Sequence, residues 1–360
     1  MKTKLLSLLL LLGLFLSLTA CGNQTVPSQP PADDTATYIF TDSVGRQVEL
    51  PETITRLAPS GPIAEMLLFA LAPDRIVGLS NAWSADAKQY IDETYYNLPV
   101  LGQLYGSTGE LNLESLLLAD PQIIIDIGEP KDTIVEDLDA LQDKTGIPCI
   151  HITATINTMD DAFRTLGELL QLEAEAEILA TYCDDAYTTC ANLMAQVGEE
   201  NKVSFLYCLG DTGTNILAKG SYHAEVIDMM TDNVAVVDNP VSKGTGNDSD
   251  LEQLYLWNPQ YIAFAPESMY PYVAEDPKWQ VIDAIQNGNY FEVPYGPHNW
   301  LGSPPSVQRL LGMLWLGKQL YPEQATYNLQ DRVTEYYDLF YHCTLTTEQY
   351  NALTARSLNR

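Results

Sequence analysis

Leu113-Glu114-Ser115-Leu116-Leu117-Leu118-Ala119-Asp120-Pro121-Gln122-Ile123-Ile124 recurs, 138 residues later, as Leu251-Glu252-Gln253-Leu254-Tyr255-Leu256-Trp257-Asn258-Pro259-Gln260-Tyr261-Ile262. Both stretches read L-E-x-L-x-L-x-[DN]-P-Q-x-I. Each predicts a short helix, a Pro-marked stop and a buried strand. Asn112 and Asp250 stand where helix caps belong. Glu114 and Glu252 then fall in first turns, where a carboxylate complements the helix dipole by ~0.3–1 kcal/mol. A helix–strand unit used twice implies two halves of similar construction, related by approximate symmetry.

The surrounding chain supports that reading. Upstream, Tyr38–Pro51 alternates around Val44-Gly45-Arg46 and predicts a hairpin. Ile54–Ala58 and Ile76–Leu79 read as short strands, and Ser60-Gly61-Pro62 as the start of a helix running to Leu71. Ile123–Ile127 is continuously apolar, as in a strand covered on both faces. Asp137–Lys144 reads as a helix and Cys149–Ile152 as a strand. This alternation predicts an α/β fold with largely parallel sheets. Met159–Val197 is strongly helical with a break near Gln171–Glu173. Glu173–Val197 alone would extend ~37 Å, a length suited to one backbone helix joining two βα lobes. Strand patterns resume at Val203–Leu209, Asn215–Ala218, Tyr261–Ala265 and Tyr290–Pro294. Helical patterns close the chain around Val307–Leu320, Gln324–Tyr341 and Thr346–Arg356.

Composition narrows the class. With 360 residues, two lobes is the natural division. Hydrophobic residues at 46% and charged residues at 18% are globular values, which excludes wholesale disorder. Lys and Arg number 18 against 48 Asp and Glu, a net charge of −30, which excludes nucleic-acid binding through a basic surface. Lys2 and Lys4 precede an uncharged stretch from Leu5 to Leu18, shorter than the ~20 residues of a spanning helix. It reads as the core of a secretory signal. The following Leu18-Thr19-Ala20-Cys21-Gly22 resembles a bacterial lipoprotein cleavage box, with Cys21 as the lipidated residue. The expected organisation is a signal peptide at 1–20, a Pro- and Ser-containing tether at 21–37, an N-terminal lobe at 38–158, a linking helical segment at 159–198 and a C-terminal lobe at 199–360. Cys149, Cys183, Cys190, Cys208 and Cys343 remain, an odd number without CxxC spacing, and are expected as buried thiols.

A cleavage box, a tether, two βα lobes, one long linking helix and paired E…P-x-x-I segments together resemble the helical-backbone class of ABC-importer substrate-binding proteins. Phe40-Thr41-Asp42-Ser43-Val44-Gly45-Arg46, Ala58-Pro59-Ser60, Leu71-Ala72-Pro73-Asp74-Arg75-Ile76-Val77-Gly78 and Trp315-Leu316-Gly317-Lys318-Gln319-Leu320-Tyr321-Pro322-Glu323 match that family in order along the chain. The resemblance implies a ligand cleft between lobes and a cargo drawn from iron–siderophores, heme, corrinoids or oxoanions such as molybdate and tungstate. It implies no enzymatic activity and no intrinsic cofactor. It further implies delivery to a permease and ATPase complex by a lipid-anchored monomer on the extracytoplasmic face of the cell membrane. Glu114 and Glu252, by position in the motif, are the matching residues for docking on the permease.

In open α/β lobes, ligands bind beyond the carboxyl ends of the strands. That rule nominates the loops holding Ser60, Trp83, Tyr105, Tyr222, His223, Glu267, His298 and Trp300. Aromatic side chains offer flat contact area at little entropic cost, which suits a planar or polycyclic ligand. Trp83 and Trp300 equally suit the lobe cores. His223 and His298 are expected contacts to the metal of a chelate, since imidazole is a common metal ligand. Only four histidines are present, far apart, which disfavours a cage for a bare ion. His151 reads as structural. A hydrolase would recruit Glu129, Asp211, His223, Glu267 and His298 as acid–base groups, but no G-x-S-x-G elbow, HExxH or phosphate-cradling loop accompanies them. A surface adhesin or sensory lipoprotein on the same fold is the remaining alternative.

Overall fold

A computed structural model describes residues 36–105 and 110–358. The expected signal peptide, Cys21 and nearly all of the expected tether lie outside the described residues, as does Gly106 beside Tyr105. Strands β1 (Thr37–Thr41) and β2 (Gln47–Pro51) form the expected antiparallel hairpin, with Phe40 opposite Val48. Its turn places Gly45 at φ 85°, a region glycine enters without steric cost. Strand β3 (Leu57–Pro59) starts three residues later than the sequence suggested. Ile76–Leu79 forms only isolated bridges, Leu57 to Ile76 and Leu79 to Val100. Pro73 and the short 3₁₀ turn Pro73–Arg75 interrupt the chain immediately before it.

Helix α1 (Pro62–Leu71) begins where Pro62 predicts. Gly61, not Ser60, is its N-cap, and no side chain caps it. Helix α2 (Leu113–Ala119) leads into β4 (Ile123–Gly128), every residue of which is buried. Helix α3 (Ile134–Thr145) and strand β5 (Cys149–Thr153) follow. Strands β3, β4 and β5 pair in parallel in that order, with Ile124 opposite both Ala58 and Cys149.

Helix α4 (Met159–Leu170) stops at Gln171, in left-handed backbone at φ 56°, and α5 (Glu173–Val197) runs on from there. The break predicted near Gln171–Glu173 is present. The two helices meet closely at Gly167, where a Cβ would lie 2.5 Å from that of Ala176. Helix α5 is packed along one face: Ala176, Leu179, Ala180, Cys183, Ala186, Cys190, Leu193 and Val197 are all buried.

The second half repeats the plan. Strand β6 (Ser204–Leu209) is central. Strand β7 (Asn215–Ile216) joins its end antiparallel. Helix α6 (Glu225–Met230) leads to β8 (Asp232–Asn233), which pairs in parallel with the start of β6. Helix α7 (Leu251–Trp257) feeds β9 (Tyr261–Phe264), and β10 (Tyr290–Glu292) lies beyond it, both parallel. Helices α8 (Gln308–Leu320), α9 (Leu329–Tyr341) and α10 (Thr347–Leu353) close the chain. They return to α5 and α1, with Phe340 against Phe163 at 5.8 Å and against Tyr182 at 5.3 Å. One apolar core therefore runs from β2 through α5 into the closing helices. Cys149, Cys183, Cys190 and Cys208 are buried free thiols, and Cys343 is a half-buried one.

The repeat has a local physical cause. Asn112 accepts the backbone N–H of Ser115 at 3.0 Å, and Asp250 that of Gln253 at 2.8 Å. Asp120 and Asn258 end the two helices in left-handed backbone at φ 51° and 38°. The conserved-in-both-copies glutamine then stitches the sheet: Gln122 Oε1 accepts the N–H of Thr55 and of Arg56, and Gln260 Oε1 that of Ser204. Leu116 and Leu254, at equivalent positions, are fully buried anchors.

Candidate functional site

Ser60 follows β3 and joins the sheet through its N–H to Ile125 O at 3.0 Å. Freed from capping α1, its hydroxyl donates to Asp126 on the carboxyl half of β4. The other Asp126 oxygen takes the Nδ1–H of His151 at 2.7 Å, and His151 N–H reaches Asp42 at 3.2 Å. Arg46 completes the network on Asp42 and on Cys149 O. His151 is fully buried, as its structural reading expected. Asp126 carries the buried polar network behind Ser60; a lone Asp within an isoleucine run was its signal.

Across from this wall stand Tyr222 and His223, at the 3₁₀ turn preceding α6. Tyr222 donates its hydroxyl to Ala154 O at 2.8 Å, at the end of β5, and so links the two halves directly. A Cβ on Gly128 would make ordinary contacts, 3.5 Å from Ile63 and 3.6 Å from the Tyr222 hydroxyl, so the two walls are already close there; the φ of 136° is what calls for glycine. Ser306 Oγ donates to Ile63 O at 3.0 Å, a second bridge. Arg309, the second residue of α8 and fully buried, holds the far wall together. It donates to Tyr222 O at 2.7 Å, pairs with Glu225 at 2.9 Å and stacks over the Tyr222 ring at 4.5 Å. Sequence reasoning missed Arg309; an arginine directly ahead of the apolar run from Leu310 to Leu316 was the available signal.

His223 is buried, and its Nδ1 has no partner. Burial first, then the positive fields of Arg309 and of Lys131 from the first half, hold it at about 4, so its imidazole is neutral near pH 7. A Cβ on Gly244 would lie 3.3 Å from Ser303 Oγ and 4.0 Å from His223 Nε2, so the backbone at Gly244 runs beside the imidazole. Glu225 is raised above the usual carboxylate range by burial, which Arg309 opposes.

The remaining candidates fall elsewhere. Trp83 and His298 meet at 5.4 Å, another contact between the halves, with His298 also against Tyr341 at 6.3 Å. Trp83 Nε1 and His298 Nε2 are both buried without partners, and burial holds His298 at about 4. Tyr105 turns its hydroxyl to Asp137 of α3 at 2.7 Å. Glu267 follows β9 in left-handed backbone at φ 59°. Trp300 lies in the core, 1% exposed and edge-on to Trp315, because its loop folds inward against Gly312. Tyr222 is thus brought against Ala154 and Gly128 of the first half, with His223 beside it, Ser60 is held on Asp126, Trp83 and His298 meet at a second interlobe contact, and Trp300 lies in the interior. Among the described residues, no group of three or more His, Cys, Asp or Glu side chains is placed to hold a metal ion.

The chain belongs to the periplasmic binding protein family, whose model matches residues 61–295. Two βα halves with parallel sheets match that family's two-lobe architecture. Among solved structures, it is similar to an ABC transporter solute binding protein from Sulfurospirillum deleyianum (25% identity, TM-score 0.80, covering 88% of this chain and 99% of that one). It shares the fold of the molybdate periplasmic binding protein MolA of Haemophilus influenzae, solved with molybdate (21%, TM-score 0.67, 86% and 99%). It also shares that of Helicobacter pylori CeuE, solved as a nickel–histidine complex (17%, TM-score 0.63, 88% and 99%). Comparison with curated proteins returns no match. The protein is accordingly an extracytoplasmic solute-binding protein of the ABC-transporter type, a class that delivers small molecules to a permease and ATPase rather than transforming them. Among the described residues no helix is long and apolar enough to cross a membrane.

Proposed function

We propose that this receptor captures a pre-chelated metal, such as a ferric siderophore, heme or corrinoid, in the crevice between Ser60 and His223, and hands it to its permease while anchored to the membrane through Cys21. The observation that carries the reading is His223: a buried imidazole, neutral near pH 7, with an unpartnered Nδ1 beside the Tyr222 bridge. A neutral imidazole is a metal ligand, and a lone one completes a chelate's open position where a bare ion would need several. The fold shared with CeuE, solved with nickel–histidine, is consistent with such cargo. Glu114 and Glu252 dock the loaded receptor on the permease.

A thermal-shift panel of ferric siderophores, heme, cobalamins, molybdate and tungstate tests the proposal. A specific ligand at a hundred times its Kd adds ~2.7 kcal/mol of stability. Stabilisation by one metal chelate, lost in His223→Ala, supports it. Stabilisation by molybdate or tungstate alone supports the second reading, an oxoanion receptor. That reading is favoured by Ser60 at the start of α1 and by the fold shared with MolA.

A further inference from the structure

Among the described residues, the two most exposed large apolar side chains are Leu118, at 86%, and Leu256, at 79%. They occupy the same position of the repeat, one on α2 and one on α7. Each lies four residues after the motif glutamate, so carboxylate and leucine share a helix face one turn apart. Leu116 and Leu254 anchor the two helices in the core, so Leu118 and Leu256 do nothing for packing. Helix propensity does not require them either, since Lys, Gln, Glu or Arg would serve as well without exposing apolar area. Single exposed leucines are ordinary. The same leucine exposed twice, at symmetry-equivalent positions beside equivalent charges, points to a partner that reads both.

The charge pattern says what that partner carries. Glu114 and Glu252 are exposed, and neither forms an ion pair among the described residues. Neither helix contains Lys or Arg, on a chain of net charge −30. Building on the docking reading above, we propose that Leu118 and Leu256 are the apolar half of the permease-docking surface. Each lobe presents a Glu–Leu pair to one of two equivalent permease sites, each made of a basic side chain beside an apolar recess. The carboxylates steer and orient the encounter, and the leucines, desolvated on contact, slow its dissociation.

The test measures binding of the full ligand-loaded chain to its purified permease–ATPase complex in lipid nanodiscs, at low and high salt, with empty nanodiscs as blank. Leu118→Ser and Leu256→Ser should each weaken binding by about tenfold, the value expected for losing one buried leucine contact, with the salt dependence unchanged. Leu118→Met with Leu256→Met should restore it, and Val236→Ser, at a 65% exposed position outside the repeat, should have no effect. Glu114→Gln with Glu252→Gln should weaken binding and flatten its salt dependence. If the serine variants bind like wild type while the glutamine pair is weakened, the leucine proposal is overturned and the glutamate docking stands. If both sets bind like wild type, the docking reading itself falls. Unaltered ligand thermal shifts in the serine variants separate either result from misfolding.

Discussion

Replacing Arg309 by Met isolates the interaction on which the far wall of the crevice depends. The guanidinium is fully buried, donates to Tyr222 O, pairs with Glu225 at 2.9 Å and stacks on the Tyr222 ring. Methionine keeps the length and the apolar stem but leaves Glu225 without its cation and Tyr222 O without its donor. Removing one member of a buried pair costs about 3–5 kcal/mol, mostly because the other charge is stranded. Glu225→Gln alone should cost less, since Arg309 keeps its bond to the Tyr222 carbonyl. The double variant should recover part of the loss, giving a coupling of about 0.5–3 kcal/mol. Urea unfolding of the four proteins at pH 7 measures the cycle, with m-values checked for constancy. The Met variant should also lose ligand-induced stabilisation, because Tyr222 and His223 are released together. An Arg309→Met loss under about 1 kcal/mol, or strict additivity in the cycle, would refute the reasoning.

Three further outcomes follow from the geometry. Burial pushes Glu65 up to about 7 despite its bonds from Ser80, and holds His223 and His298 at about 4. The Glu65 contribution is whole below its unfolded value near 4.5 and lost as pH rises through 7. The histidine contributions are whole above 6.5 and lost as pH falls through 4. Between pH ~4.5 and 6.5 the two histidines add stability faster than Glu65 loses it, so stability by urea titration should rise with pH and level off near pH ~7; Glu65→Gln should steepen that rise, and a rise left unchanged in that variant would remove Glu65 from the balance. Gly167→Ala drives a methyl into Ala176 and should cost about 1–3 kcal/mol, read as a lowered Tm; an unchanged Tm would mean α4 and α5 part freely. Glu114→Ala with Glu252→Ala should leave ligand affinity intact and reduce uptake by cells, and normal uptake would remove the two glutamates from docking.

What was legible in the chain was whatever local rules decide. The repeat announced two equivalent helix–strand units because caps, helix stops and strand starts all depend on near neighbours, and Asn112, Asp250, Asp120 and Asn258 act as their types dictate. Ile76–Leu79 misled because its apolar run is recruited as isolated bridges, a tertiary outcome that periodicity does not encode. Ser60-Gly61-Pro62 marked the helix start correctly, but that Asp126, 66 residues away, takes the Ser60 hydroxyl is a long-range outcome no local rule gives. The crevice was legible only as a set of strand-end loops. Which side chains turn into it depends on long-range partners, Arg309 beneath Tyr222 and Trp315 beside Trp300, that no local pattern specifies.

The central claim is that the crevice beside His223 accepts a metal chelate. Titrating the purified chain with ferric siderophores, heme and cobalamin, and following the chelate's visible absorption, tests it most directly. Saturable binding of one chelate with a spectral shift that His223→Ala abolishes is the predicted result. Binding whose spectrum and affinity are untouched by that substitution, or saturable binding of molybdate and of no chelate, would contradict it.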